Sequence, residues 1–413
     1  MMERSYTSKR KIFNDPIYGF ITIPYEIVYD VIQHPYFQRL RRITQMGLAS
    51  TVYNGAQHTR FMHVLGAMHL MTRAIAVIQS KGTEITEDES KAAVLAILLH
   101  DIGHGPFSHT LEFAIANGVS HEELSLLFMH KLNSEFDGQL TLAIEIFKGS
   151  YQKKFLHQLV SSQLDMDRLD YLKRDSFFSG VSEGVIGSER IITMLNVAND
   201  ELVVEAKGIY SIEKFIIARR LMYWQVYLHK TVIAAEQLLI SIMRRAKYLA
   251  SRGEPLFGNP DLLYFLTSSY SLDDFKSNPD LLDKFAQLDD YDVLGAIKMW
   301  QSHSDFILSK LCSMLIDRKL PKIEIKKEKI SDEILETVRE KCSNSMKISI
   351  EDASYFVMSN RVANSAYSLE TDKINILHKN GSIVDVAEDA DLLNISTLAT
   401  PVHKYFMCYP KIL

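Results

Sequence analysis

The chain has 413 residues, 47% hydrophobic and 23% charged, with a formal charge of −5 and three cysteines. That is an ordinary globular composition, long enough for a full core; a generally basic surface for duplex nucleic acid is excluded, although local clusters could still bind phosphates. Cys312, Cys342 and Cys408 stand far apart without a CxxC pair, which excludes a disulfide framework or a cysteine zinc site. The first residues are charged, with no apolar signal core, and no uncharged run approaches a membrane span. A cytoplasmic protein is expected, with no membrane partner and no nucleic acid.

Residues 11–23 mix aromatics, β-branched residues and turn formers, as a short strand or hairpin would. Helices are predicted over 25–33 and 36–46, parted at Pro35, and the second carries the basic cluster Gln38-Arg39-Leu40-Arg41-Arg42. Such a run is either a solvated face or an anion site. After a loop at 55–59, Arg60 and His63 open a helix through Leu65, Met68, Leu70 and Met71. Residues 92–99 are almost wholly apolar and suit a buried helix, while Gly103 and Gly105-Pro106 are stop signals. His100 and Asp101 therefore fall in a last turn, where the helix dipole favours a cation. The alternative is a solvated helix end.

Ser120-His121-Glu122-Glu123 reads as a capping box, which puts His121 and Glu122 in a first turn, either facing a cleft or simply exposed. A helix over 155–175 would carry Asp167, Tyr171, Arg174 and Asp175 along one stripe, as an ion-pair ladder or the wall of a polar cleft. A loop over 176–187 could cover that cleft, and 192–205 suggests a strand around Leu202-Val203-Val204. Residues 211–250 form a scaffold helix broken at most once, with Arg219, Arg220, Tyr227, His229 and Lys230 as polar interruptions. Shorter helices follow to Leu315. Strands are predicted over 322–326, 347–350 and 355–358, with a hairpin of 374–377 and 383–386. The expected architecture is mainly α: a helical domain over 1–320, with its core over about 36–235, and a small α+β C-terminal lobe over 321–413.

His63, His100-Asp101 and Asp167 compose an H…HD…D pattern, each piece on a different predicted helix. With Lys11-Ile12-Phe13-Asn14-Asp15-Pro16, Phe37-Gln38-Arg39-Leu40-Arg41, His58-Thr59-Arg60-Phe61-Met62-His63 and the stretch from Asp165 to Tyr171, the pattern resembles the HD-domain metal-dependent phosphohydrolases. Within that family it resembles the SAMHD-type deoxynucleoside triphosphate triphosphohydrolases and their bacterial relatives. The resemblance is strong over about residues 11–235 and implies an HD-domain helical bundle. It implies one divalent cation on His63, His100, Asp101 and Asp167, acting as Lewis acid and lowering the pKa of a bound water. Mg, Mn, Fe, Zn and Ni are not distinguished by such a ligand set. His104, His109, Glu112, His121 and Glu122 match the family's acid/base group, with His121, supported by Glu122 or Glu112, as general acid. Glu112 stands where the family often shows Asp.

The resemblance also implies substrate contacts. Arg60 would meet the α-phosphate, Arg168 and Arg219 the outer phosphates, Gln45 and Asp175 the sugar 3′-hydroxyl, and Tyr171 the sugar face. The implied reaction is hydrolysis of a dNTP to deoxynucleoside and inorganic triphosphate by a homo-oligomer, dimer or tetramer. Asn14, Gln38, Arg39, Arg41, Lys230, Arg318 and Lys322 resemble residues of pockets for an activating nucleotide. Gln33 departs from the acid that reads guanine there. Alternatives are an HD phosphohydrolase for another nucleotide, monophosphate or cyclic, or a nucleotide-sensing regulator.

Overall fold

A β-hairpin leads into the helical body of this computed structural model, which describes residues 11–112, 118–370, 373–391 and 394–411, the side chains of His109 and Ser396 excepted. Strands β1 (Ile12–Asp15) and β2 (Gly19–Thr22) pair antiparallel. The Asp15 carboxylate closes their turn by accepting the Ile17 and Tyr18 amides at 2.9 and 3.0 Å. Helix α1 (Glu26–Gln33) follows as predicted. The next predicted helix is shorter: an α-turn at Pro35–Gln38 and a 3-10 turn at Arg39–Arg42. Ile43 is extended, and Thr44 gives both its amide and its hydroxyl to Asp290, which removes that amide from any helix.

Helices α2 (Arg60–Ser80) and α3 (Glu87–Leu99) pack side by side at the centre. By length and composition α2 could cross a membrane, but two thirds of its apolar window (67%) is buried inside this fold, so it is a core helix here. Ala93 to Leu99 are fully buried, and α3 ends two residues before Asp101, with His100 as C-cap. Ser120 caps α4 (His121–Glu135) with the predicted capping box.

The single helix predicted over 155–175 is two, Lys154–Val160 and α5 (Met166–Ser179). Asp165 divides them: its buried carboxylate accepts the amides of Ser162 and Arg168 at 2.8 and 2.7 Å, making it the N-cap of α5. Asp167 thereby moves from mid-helix to a first turn. Gly180, at φ +72, ends α5. Strands β3 (Leu195–Ala198) and β4 (Glu201–Glu205) form a hairpin. The scaffold helix is broken once, into α6 (Ile209–Met222), a π-turn at Tyr223–Tyr227, and α7 (Lys230–Ser251), bent by 56°.

Short helices continue to Ile316, and then β5 (Lys322–Lys326), β6 (Met358–Asn364), β7 (Asn375–Leu377), β8 (Ile383–Asp385) and β9 (Val402–Tyr409) appear. Order β5-β9-β6 makes one antiparallel sheet, while β7 joins β4 in parallel to give order β3-β4-β7-β8. The segment beyond 321 thus completes a sheet begun near residue 195. Gln163 exchanges two hydrogen bonds with the Ser368 backbone across the same boundary, at 2.8 and 2.7 Å. One apolar core runs through both parts, so position 321 is a change of texture and not a break in packing. No strand forms at 347–350: Lys347, at φ +55, ends the Asp332–Met346 helix and Ser349 caps a helical turn at Ile350–Ala353. The fold is mainly α, and its three cysteines are buried thiols.

Candidate metal centre and active-site cavity

The four side chains of the H…HD…D pattern converge from three helices. His63 comes from the first turns of α2, His100 and Asp101 from the end of α3, and Asp167 from the first turn of α5. His63 Nε2 lies 3.0 Å from Asp167 Oδ1 and 3.7 Å from Asp101 Oδ2. His100 Nε2 lies 3.4 Å from an oxygen of each carboxylate. Neither Nε2 makes a well-formed hydrogen bond, although both are buried. Their Nδ1 atoms are engaged behind, His63 with Asp170 Oδ2 at 2.8 Å and His100 with the Ile97 carbonyl at 2.6 Å. That pattern fixes each ring and directs its other nitrogen inward, as metal-ligating histidines require.

The electrostatics fit a cation. Burial opposes charging His63, yet Asp167 and Asp170 outweigh it and lift its pKa to about 10. His100 is also raised, against burial, by Asp101 and Asp167. A cluster that draws protons onto two imidazoles is short of positive charge, and a divalent ion on the same atoms supplies it. His₂Asp₂ suits several such ions.

Behind this cluster runs a buried chain of charges. Asp170 pairs with Arg174, Nε to Oδ2 at 2.8 Å and Nη2 to Oδ1 at 3.0 Å, and Arg174 Nη1 reaches Asp15 Oδ2 at 2.8 Å. Burial works against ionising Asp170, but Arg174 and His63 hold its pKa down at about 2. Gly66 makes room for this chain: a Cβ there would stand 2.0 Å from Asp170 Oδ1. Sequence reading assigned no role to Asp170 or Asp15 and put Arg174 on the Tyr171 stripe. The signal for Asp170 was its i, i+3 spacing from Asp167 and its i, i+4 spacing to Arg174.

The loop after Asp101 is clamped from below by Arg39. This guanidinium is fully buried, donates to the carbonyls of His104 and Ile102 at 2.8 and 2.7 Å, and lies over the Phe128 and Phe285 rings. Burial lowers its pKa to about 10. Arg39 therefore braces the metal loop and is not a nucleotide contact; the expectation for it is corrected. Further along, Phe107 and Ser108 hold φ of +53 and +51, a left-handed conformation unfavourable for side chains of this size. Asp290 takes the Phe107 amide at 2.7 Å, and Ser108 Oγ accepts Arg60 Nε at 2.8 Å. Arg60 also pairs with Asp101.

Of the residues expected to act as acids and bases, His104, His121 and Glu112 lie beside the cluster. His104 lies with Nε2 3.3 Å from Asp101 Oδ1 and stacks on His121, ring centroids 3.9 Å apart. Burial and Arg60 hold its pKa well below the usual histidine value. Glu112 accepts from the His121 amide at 2.7 Å and meets His121 Nδ1 at 2.8 Å, so the support comes from Glu112. Glu122 is exposed and does not line the cavity, a correction to its expected place. The His109 side chain lies outside the described residues.

A cavity of about 420 Å³ opens on the cluster and is lined by Arg60, Asp101, His104, His121 and Asp167, with Gln45, Arg168, Tyr171 and Asp175. Asp175 is held by His58 Nε2 and the Tyr227 hydroxyl, each at 2.7 Å. Arg219 is not in this wall; it lines a second cleft of about 220 Å³ with Ser161, Ser162 and Ser368, and Arg168, paired with Asp165, borders both. Among the other residues expected at a regulatory site, Asn14, Arg41, Lys230, Arg318 and Lys322 are exposed, as is Gln33. Arg41 stacks on Phe61 and bonds Gln38, while Arg318 bonds the Thr51 carbonyl.

Fold and donor set together define a metal-binding hydrolase centre built between helices. The HD domain family model matches residues 60–175, and that of the HD associated region matches 186–251. A crystal structure of a phosphohydrolase from Bacteroides thetaiotaomicron is 54% identical, covers 98% of this chain and 100% of its own, and superposes with a TM-score of 0.94. The uncharacterized protein YwfO of Bacillus subtilis is 33% identical over 76% of this chain and 71% of its own length. A deoxynucleoside triphosphate triphosphohydrolase SAMHD1 homolog of Dictyostelium discoideum is 31% identical over 59% of this chain and 51% of its own. The chain belongs to the HD-domain phosphohydrolase family, and is of a kind with its SAMHD-type members.

Proposed function

We propose that the protein hydrolyses deoxynucleoside triphosphates to deoxynucleoside and inorganic triphosphate. The observation that carries this is the composition of one cavity wall: the metal cluster, the cations Arg60 and Arg168, and the sugar-sized polar group of Tyr171, Asp175 and Gln45 line it together. His63, His100, Asp101 and Asp167 would hold a divalent ion, which would supply Lewis acidity to the reaction. Arg60, fixed by Asp101 and Ser108, meets the α-phosphate, and Arg168 and Arg219 take the outer phosphates from the two clefts that Arg168 borders. His121, with Nδ1 held by Glu112, delivers a proton from Nε2 to the departing 5′-oxygen. Asp175 accepts the sugar 3′-hydroxyl, and the Tyr171 ring packs on the sugar.

A homo-oligomer and an activating nucleotide belong to the same proposal, with Asn14, Gln38, Arg41, Lys230, Arg318 and Lys322 as its contacts. One observation favours the narrower reading, a substrate with fewer phosphates: Arg219 sits outside the main cavity. Products decide between them. Incubation of each dNTP with Mn²⁺ or Mg²⁺ yields inorganic triphosphate on the first reading, incubation of the corresponding monophosphates yields orthophosphate on the second, and tight binding without turnover indicates a sensor. His100→Ala and Asp101→Ala lose bound metal by elemental analysis and lose hydrolysis by a factor on the order of a thousand. Full activity in either variant refutes the metal centre.

A further inference from the structure

The cavity has a wall that metal, phosphate and sugar leave unused. Met46, Ala49, Phe107, Leu228 and Val232 line it with apolar surface, and the side chain set among them with a formal charge is Glu236, from α7. Burial pushes the Glu236 carboxyl up to about 7, against a hydrogen bond from the Thr110 hydroxyl. An acid in such a wall is costly unless a partner arrives to bond it. An apolar slot with one hydrogen-bonding group is what a nucleobase requires, its faces packing on hydrocarbon and its edge read by the polar atom.

We propose that Glu236 selects the base of the nucleotide and favours guanine. This rests on the nucleotide-hydrolysis reading above. Two donors brought against the Glu236 carboxyl hold it in the ionised form, which has two acceptor oxygens and no donor, and guanine alone among the four bases presents two adjacent donors, N1–H and the 2-amino group, in a matching fork. Thr110 occupies one of about four lone-pair positions and leaves acceptor capacity on both oxygens. Adenine offers a donor beside an acceptor and thymine a donor between two acceptors, so each sets a lone pair against the carboxylate.

The test is the ratio of kcat/KM for dGTP to that for dATP, measured on wild type and on Glu236→Gln. The amide replaces one acceptor with a donor, which opposes guanine and suits adenine. The ratio is expected to exceed one in wild type and to fall about ten- to a hundredfold in the variant, with the same shift in equilibrium binding of the two nucleotides by calorimetry. Both substrates are read on one preparation, so partial misfolding lowers both values and leaves the ratio unchanged. A wild-type protein active on dNTPs with no preference for dGTP over dATP, or a variant with an unchanged ratio, overturns the role of Glu236 alone. A wild type that neither hydrolyses nor binds any dNTP overturns the nucleotide reading and this inference with it.

Discussion

The metal wall and the basic turn at residues 38–42 are both dense in charge, but their side chains are supported differently. In the wall each imidazole of the cluster has a partner at its back, Asp170 for His63 and the Ile97 carbonyl for His100, and the chain of charge continues inward through Arg174 to Asp15. In the turn the roles divide, with Arg39 and Leu40 buried and Arg41 and Arg42 exposed. Arg39 points inward and holds two loop carbonyls, while Arg41 lies outside on Phe61 and Arg42 pairs with Asp289. A charged group removed from water must be paired or hydrogen-bonded, so burial converts an arginine into a brace, whereas an exposed arginine remains available to a ligand.

The largest effect expected separates the two arginines. Arg39→Ala strands the His104 and Ile102 carbonyls and opens a cavity, costing about 2–4 kcal/mol in urea unfolding, whereas Arg41→Ala costs less than about 1 kcal/mol. Equal losses would erase the distinction between brace and surface cation. Next, Asp170→Asn retains the shape behind His63 but removes the charge that orients it. Titration with Mn²⁺ is expected to show affinity weakened about 10–100-fold; unaltered affinity would mean the buried chain serves folding alone.

The smallest effect concerns a buried carboxylate remote from the metal. Glu89 accepts from Lys153 and the Thr86 amide at 2.8 Å each and from Tyr151 at 2.6 Å, and these hold its pKa below the usual value despite burial. A depressed folded pKa adds stability above the unfolded value, roughly pH 4.3, and that stability is lost as pH falls through the folded pKa. The stability gap between wild type and Glu89→Gln is therefore expected to be open at neutral pH and to close in acid. A gap constant from neutral pH down to strong acid would show that ionisation of Glu89 contributes nothing.

Much of the site was legible in sequence because its residues are locally announced. His63, His100 and Asp101 stand near helix ends that the chain marks, whereas Asp167 was placed by motif order inside one long helix, and Ser120 with Glu123 signalled the start of α4 before any contact was known. Glu112 and Glu122 were both eligible to support His121, and only the path of the chain between α3 and α4 put Glu112 at its ring. Asp165 escaped notice as a helix break because its capping depends on burial of its own carboxylate. Asp290, more than 180 residues from Phe107, had no local signal at all.

By itself the sequence determined the mainly helical class, through periodicity and capping carried by neighbouring residues, and the H…HD…D pattern whose motif order carries the resemblance to the family. Tertiary structure decided which charges meet in the cluster, which became braces and which stayed at the surface, and it joined the segment beyond 321 to the sheet of β3 and β4. Those outcomes depend on desolvation and on partners distant in sequence, such as Asp15 with Arg174 or Arg39 with His104, and no window along the chain contains both members.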